Sequence, residues 1–247
     1  MASRTLLAAL PALLLAGPAT AQSWPSKPVR FIVPYAPGGS SDVIARLLGQ
    51  KLGEAFGQTF VIDNRPGAGS MVGTDIAAKS APDGYTLLLS DMPHTINPAI
   101  YVKVPYDPVR DFSPVTVVGT SPMFLFVHPK FEANSVKDFV ALARAQPGKV
   151  AMGSGGTGAT THLMIELLQA RTGVRVNHVP YKGAGPALAD VIAGQIPATF
   201  TSMATAAPHV KGGRLRALAV TSAKRIASYP EVPTFEESGA PGMVVEH

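Results

Sequence analysis

Two glycine-rich loops carry the residue types that could hold an anion. The first is Tyr35-Ala36-Pro37-Gly38-Gly39-Ser40-Ser41-Asp42 and the second is Gly153-Ser154-Gly155-Gly156-Thr157-Gly158. Each follows a strand-like apolar run and precedes a helical stretch. Glycines leave backbone N–H groups accessible, hydroxyls add donors, and the positive end of the following helix faces the loop. A carboxylate satisfies those donors. The second loop also matches G-x-G-x-x-G, but a dinucleotide site wants an acidic residue about 20 positions on for the ribose, and none lies between Glu166 and Asp190. No Lys-Ser or Lys-Thr pair follows it to make a phosphate-binding P-loop. For Asp42 two roles stay open: a helix N-cap, or a partner for an ammonium or protonated group of a ligand.

Nucleophilic chemistry is the rival. Ser154, His162 and Asp190 could be written as a hydrolase triad, although no G-x-S-x-G frames the serine. The six histidines show no H-E-x-x-H spacing and the chain has no cysteine, so neither a metal site nor a cofactor is expected.

The elements around these loops repeat. Gly39, Gly57, Gly67 and Gly69 recur 116 residues on as Gly155, Gly173, Gly183 and Gly185. Pro and Gly punctuate short strands alternating with moderate helices, an α/β pattern with two similar lobes that aim their loops at one place. Strands are expected over 30–35, 59–62, 85–89, 198–202 and 215–221, the last able to cross back to lobe one. Helices are expected over 42–56 and 70–79, with Ser70 as N-cap of the second, and one from Ser135 with Asp138 closing an approximate capping box. The stretch 97–114, rich in Pro, Tyr and Asp, reads as a surface excursion.

Residues 1–21 read as a signal peptide: Arg4, the apolar run Leu6–Ala16, and a small-residue cleavage site ending at Ala21. The remaining chain suffices for two lobes of about 100 residues each. Net charge is +5, with Lys and Arg dispersed rather than interleaved with aromatics, which favours small anions over nucleic acid.

The chain resembles the periplasmic solute-binding proteins of tripartite tricarboxylate transporters, the Bug family. The resemblance rests on Trp24-Pro25-Ser26-Lys27-Pro28-Val29-Arg30, the first glycine loop, Asn64-Arg65-Pro66-Gly67-Ala68-Gly69, Pro82-Asp83-Gly84-Tyr85-Thr86-Leu87, Pro105-Tyr106-Asp107-Pro108, Val179-Pro180-Tyr181-Lys182-Gly183 and Leu215-Arg216-Ala217-Leu218-Ala219-Val220-Thr221. It implies an α/β fold: a two-lobed periplasmic binding protein clamp of type II-like form with a hinge. The expected division is lobe one over 22–118, lobe two over 119–220, and a return segment 221–247 towards lobe one. Members run several tens of residues beyond Pro241-Gly242, so the C-terminal part of lobe one is expected to be missing.

The resemblance further implies a non-enzymatic receptor, exported to the periplasm, that holds a small carboxylate between the lobes and delivers it as a monomer to membrane transporter subunits. A sensor that signals ligand state to a membrane partner is the alternative. The family's ligand-binding positions fall here on Tyr35, Ala36, Ser40, Asp42 and Ser90 of lobe one, and on Ser154, Gly156, Gly158, Thr160, His162 and Asp190 of lobe two. Two departures stand out. Ser90-Asp91-Met92-Pro93-His94 replaces a small Thr- or Gly-rich segment, and Ala159 replaces a hydroxyl residue.

Overall fold

The computed structural model describes residues 23–246, so the signal peptide read over 1–21 and the final His247 lie outside the described residues. Lobe one is built on a three-stranded parallel sheet. Strand β1 (Val29–Val33) lies between β2 (Phe60–Asn64) and β3 (Thr86–Leu88). Because helices cover it, β1 reads Val-Arg-Phe-Ile-Val, almost continuously apolar as a central parallel strand requires. Helix α1 (Ser40–Phe56) follows β1 and stops at Gly57, whose left-handed φ of 67° lets its N–H reach back to the Gly53 carbonyl. Helix α2 (Met71–Ala78) follows a 3-10 turn over Ala68–Ser70. Ser70 takes the N-cap position but forms no side-chain cap, because it sits at a φ of 83°.

Lobe two holds a mixed five-stranded sheet. In chain order it carries β4 (Phe124–Val127), α4 (Val136–Ala145), β5 (Ala151–Ser154), α5 (Thr160–Thr172), β6 (Asn177–Pro180), α6 (Ala184–Ile192), β7 (Ala198–Thr201), α7 (Met203–Lys211) and β8 (Arg216–Val220). The sheet order is β6-β5-β7-β4-β8, with β4 antiparallel to both its neighbours. All four residues of β4 are buried, and its Phe-Leu-Phe-Val run separates two apolar clusters. Burying each such side chain contributes about 1.5–3 kcal/mol. Helix α4 starts as its sequence suggests: Ser135 Oγ accepts the Asp138 N–H at 3.1 Å, and Asp138 in turn accepts the Asn134 N–H.

Three expectations need correction. The strand near 215–221 does not cross back; β8 pairs with β4 inside lobe two. The segment after it also stays there, since Phe235, Ala240 and Met243 enter the lobe-two core and Val245 N–H bonds the Thr221 carbonyl. Finally, 97–114 is not merely a surface excursion. A helix α3 (Pro93–Ile100) enters it, Asn97 is fully buried, and His94, Tyr106 and Phe112 form an aromatic cluster with centroids 4.6–5.9 Å apart.

Candidate functional site

The two lobes meet around a cavity of about 30 Å³. Lobe one lines it with Tyr35, Gly39, Ser40 and Ser41 from the β1–α1 loop and with Asp91 beyond β3; lobe two contributes Met123, Gly155, Ala159, Thr160, Thr161 and Ala184. The volume is that of a water molecule or two, so the lobes stand closed. Among the described residues four hydrogen bonds cross between them. Ala36 N–H donates to the Lys182 carbonyl at 2.9 Å, and Ser40 and Ser202 share a buried hydroxyl pair at 2.8 Å. Thr160 Oγ1 donates to Asp91 Oδ2 at 2.7 Å, and Tyr101 donates to the Thr157 carbonyl at 2.8 Å.

Glycines permit this approach. A Cβ at Gly185 would lie 2.5 Å from the Pro37 carbonyl oxygen, and one at Gly69 would overlap the Thr157 carbonyl oxygen. Each lobe's second glycine turn therefore receives the other lobe's loop. The arrangement is reciprocal.

Both α1 and α5 begin at this cleft, and neither has a side-chain cap at its N-terminus. No side chain caps their first turns as Ser135 does in α4, although in α5 the His162 N–H already donates to the Ala159 carbonyl at 2.9 Å. Two positive helix ends thus converge from opposite lobes. Tyr35, 8% exposed, also lines the cavity; its hydroxyl lies beside that of Ser70, and the two are too poorly aligned to complete a regular hydrogen bond. Burial, reinforced by the negative Asp91, raises the Tyr35 hydroxyl well above its ordinary pKa and keeps it neutral.

The residues singled out in the sequence divide into those on the cavity and those beneath it. Tyr35, Ser40 and Thr160 line it. Ala36 makes the interlobe bond already described. Asp42 is buried and fully engaged: its carboxylate accepts the Gly38 N–H at 3.0 Å, the Asn64 amide at 3.0 Å and the Arg46 guanidinium. Burial pushes that carboxyl up, but the bonds from Arg46, Gly38 and Asn64 outweigh it and hold the pKa below the ordinary value. Ser90 is exposed two residues beyond the end of β3, immediately before Asp91.

In lobe two, Ser154 is fully buried below its loop, where Oγ accepts the Gly156 N–H at 3.1 Å and pairs with His178 Nε2 at 2.5 Å. Gly158 N–H donates to His162 Nδ1 at 3.1 Å, and the His162 ring stacks on His178 at 4.2 Å. Burial, with the neighbouring His162, lowers His178 to a pKa of about 4. Asp190 accepts the Tyr181 hydroxyl at 2.6 Å, away from the cavity; burial and that bond push Tyr181 up to about 12. The triad written from sequence is therefore not assembled. Ser154, His162 and Asp190 go to three different partners, and the serine is enclosed. Among the described residues no group of His, Cys, Asp or Glu is arranged to hold a metal ion, and no helix is long and apolar enough to cross a membrane.

Sequence reading missed Asp91, Met123, Thr161 and Ala184 as lining groups. The unusual Ser90-Asp91-Met92 segment was the one available signal. Met123 and Ala184 reach the cavity through tertiary packing alone.

Comparison with known proteins agrees with this architecture. A family model described as tripartite tricarboxylate transporter family receptor, TctC, matches residues 44–247. Protein BugT of Bordetella pertussis is 42% identical over 232 residues, covering 93% of this chain and 71% of the relative. The structure of the periplasmic binding protein BugD superposes with a TM-score of 0.87 at 33% identity, over 90% of this chain and 75% of that one. That of Rhodopseudomonas palustris Rpa4515 with adipate gives 0.86 at 38% identity, with the same shares covered. The chain belongs to the TctC family of tripartite tricarboxylate transporter receptors, the Bug-type periplasmic binding proteins.

Proposed function

We propose that the protein is a periplasmic receptor that takes up a small carboxylate in the interlobe cleft and delivers it to the membrane subunits of a tripartite tricarboxylate-type transporter. The observation that carries this reading is the meeting of two uncapped helix N-termini, one per lobe, at a cavity with an unpartnered buried tyrosine hydroxyl. The adipate held by a relative supports it. Tyr35, Ser40, Ser41, Thr160 and Thr161 are the side chains that would surround the ligand, with first-turn N–H groups of α1 and α5 donating to its carboxylate. Ser154, His162, Asp42 and the glycines of both loops hold those donors in place from behind.

Charge-assisted hydrogen bonds contribute about 1.5–3 kcal/mol each, so a few of them less the cost of closing give micromolar affinity, about −8 kcal/mol. Because donors from both lobes reach one carboxylate only when the lobes are closed, binding shifts the population towards the closed form. The transporter would read that shape. No bond is broken.

Ser41→Asp tests the placement. Ser41 lies in the first turn of α1, where an acidic side chain is tolerated by the helix dipole, so the fold is kept. A second negative charge near 4 Å opposes a bound carboxylate by about 4 kcal/mol at an effective dielectric of 20. Titration with three- to six-carbon carboxylates should show affinity falling at least 100-fold; unchanged affinity would move the site elsewhere.

A further inference from the structure

The cleft offers many donors and one charge. Among the described residues Asp91 is the only charged side chain that lines the cavity, and no Lys or Arg forms an ion pair with it. Its carboxylate is held rigidly. One oxygen accepts the N–H of Met92 at 2.6 Å, and the other accepts the Thr160 hydroxyl from across the cleft at 2.7 Å. Near it stands the buried Tyr35 hydroxyl, which has no well-aligned hydrogen bond. Asp91, half-buried and bonded to the first residue of α5, sets a negative group beside helix ends that attract a ligand carboxylate, so the cleft carries an anion-binding part and a cation-binding part.

From this division we infer that the ligand is zwitterionic: its carboxylate meets the α1 and α5 N-termini, and an ammonium meets Asp91. The inference rests on the carboxylate-receptor reading and deepens it. A dicarboxylate would bring its second negative group against Asp91 with no basic side chain on the cavity wall to offset the repulsion. A simple monocarboxylate would leave Asp91 without a compensating charge. An ammonium replaces the Thr160 hydroxyl as donor to Asp91, and Thr160 is then free to turn its hydroxyl to the ligand carboxylate. Thr160 thus becomes the group through which the two halves of the cleft sense one ligand.

The test is calorimetric titration with three matched series of three to six carbons: straight-chain monocarboxylates, amino acids bearing the amine at C2 or at the terminus, and dicarboxylates. In the wild-type protein the tightest amino acid should bind at least tenfold more tightly than the dicarboxylate of equal length. Asp91→Asn keeps the shape, still accepts the Met92 N–H and removes the charge; it should lower that ratio at least tenfold, with the dicarboxylates gaining. Thr160→Val removes the same interlobe bond without altering charge, and should weaken all three series together while preserving their ratios. A wild-type preference for dicarboxylates, or ratios unchanged in Asp91→Asn, would overturn the inference. If the dicarboxylates bind well and the amino acids do not, the carboxylate receptor stands and the zwitterion is wrong. If no member of any series binds, the receptor reading itself fails and the inference with it.

Discussion

The β1–α1 loop and the β5–α5 loop occupy the same place in their two lobes, yet they are secured by different chemistry. Downstream, the units agree. Gly57 and Gly173 end α1 and α5 with φ of 67° and 68°, Gly67 and Gly183 both take positive φ, and Gly69 and Gly185 each receive the loop of the other lobe. Upstream they part. Helix α1 has 17 residues and α5 has 13, so Gly39 is an N-cap while Gly155, its counterpart in the repeat, lies at the far end of a loop capped by Ala159. The first loop hangs on one buried carboxylate, Asp42. The second hangs on neutral groups: Thr161 holds Gly155 N–H, Ser154 holds Gly156 N–H and His162 holds Gly158 N–H. Duplicated backbone geometry is thus compatible with two unrelated side-chain solutions.

The largest effect should come from blocking the reciprocal contact. Gly185 has no positive φ, so Gly185→Ala leaves lobe two intact, but its methyl would press on the Pro37–Gly39 backbone only when the lobes close. Ligand affinity measured by calorimetry should fall at least 100-fold while the melting temperature of the free protein changes little. The same experiment at Gly156 would be uninformative, since a side chain there meets the Tyr181 carbonyl within its own lobe at a φ of 119°.

Next, removing the carboxylate anchor separates the two loops. Asp42→Ala leaves Arg46, Asn64 and the Gly38 N–H without their shared acceptor, a loss of about 2–4 kcal/mol. Thermal unfolding should move down by roughly 5–15 °C for a chain of this size. Asn at the same position recovers part of the loss by keeping an acceptor.

The third difference is in pH. His178 is held neutral with a pKa of about 4, whereas an unfolded histidine titrates near 6.5. Between those values the unfolded chain binds the proton and the folded chain does not. The second loop's support is therefore fully present above about pH 6.5 and is lost as pH falls towards 4. Allowing for solvent screening of the partly exposed ring, the loss is on the order of 1–2 kcal/mol. His178→Gln should flatten that part of the stability profile. Asp42, held below its ordinary pKa, gives its full support at neutral pH and loses it only at more acid pH, as the carboxylate protonates in the folded protein.

The smallest effect belongs to a helix outside the comparison. Ser135→Ala removes the cap of α4 and should cost about 1 kcal/mol of stability with no change in ligand affinity.

What the sequence disclosed and what it withheld follow a physical line. Gly57, Gly173 and Ser135 were legible because left-handed glycines and caps are decided within one helical turn. Both loops were legible because glycine, hydroxyl and helix start stand together in the chain. Helix α3 was not, because Pro93, Asn97 and Pro98 read as turn formers until Asn97 is seen donating to the Gly69 carbonyl in the interior. The partner of Ser154 was sought eight residues away at His162, but it is His178 on the adjacent strand, a pairing that sheet register creates. Asp42 was weighed between cap and ligand partner, and only its contacts with Arg46 and Asn64 reveal a brace for the loop. The equation of Gly39 with Gly155 looked sound by spacing and is undone by one extra turn of α1.

The most direct measurement is calorimetry of wild-type protein with a small carboxylate ligand and with its primary amide, which keeps the shape and removes the negative charge. Two helix N-termini sharing one carboxylate require micromolar binding of the acid and at least 100-fold weaker binding of the amide. Equal binding of both, or no binding of any acid, would contradict the interlobe anion site.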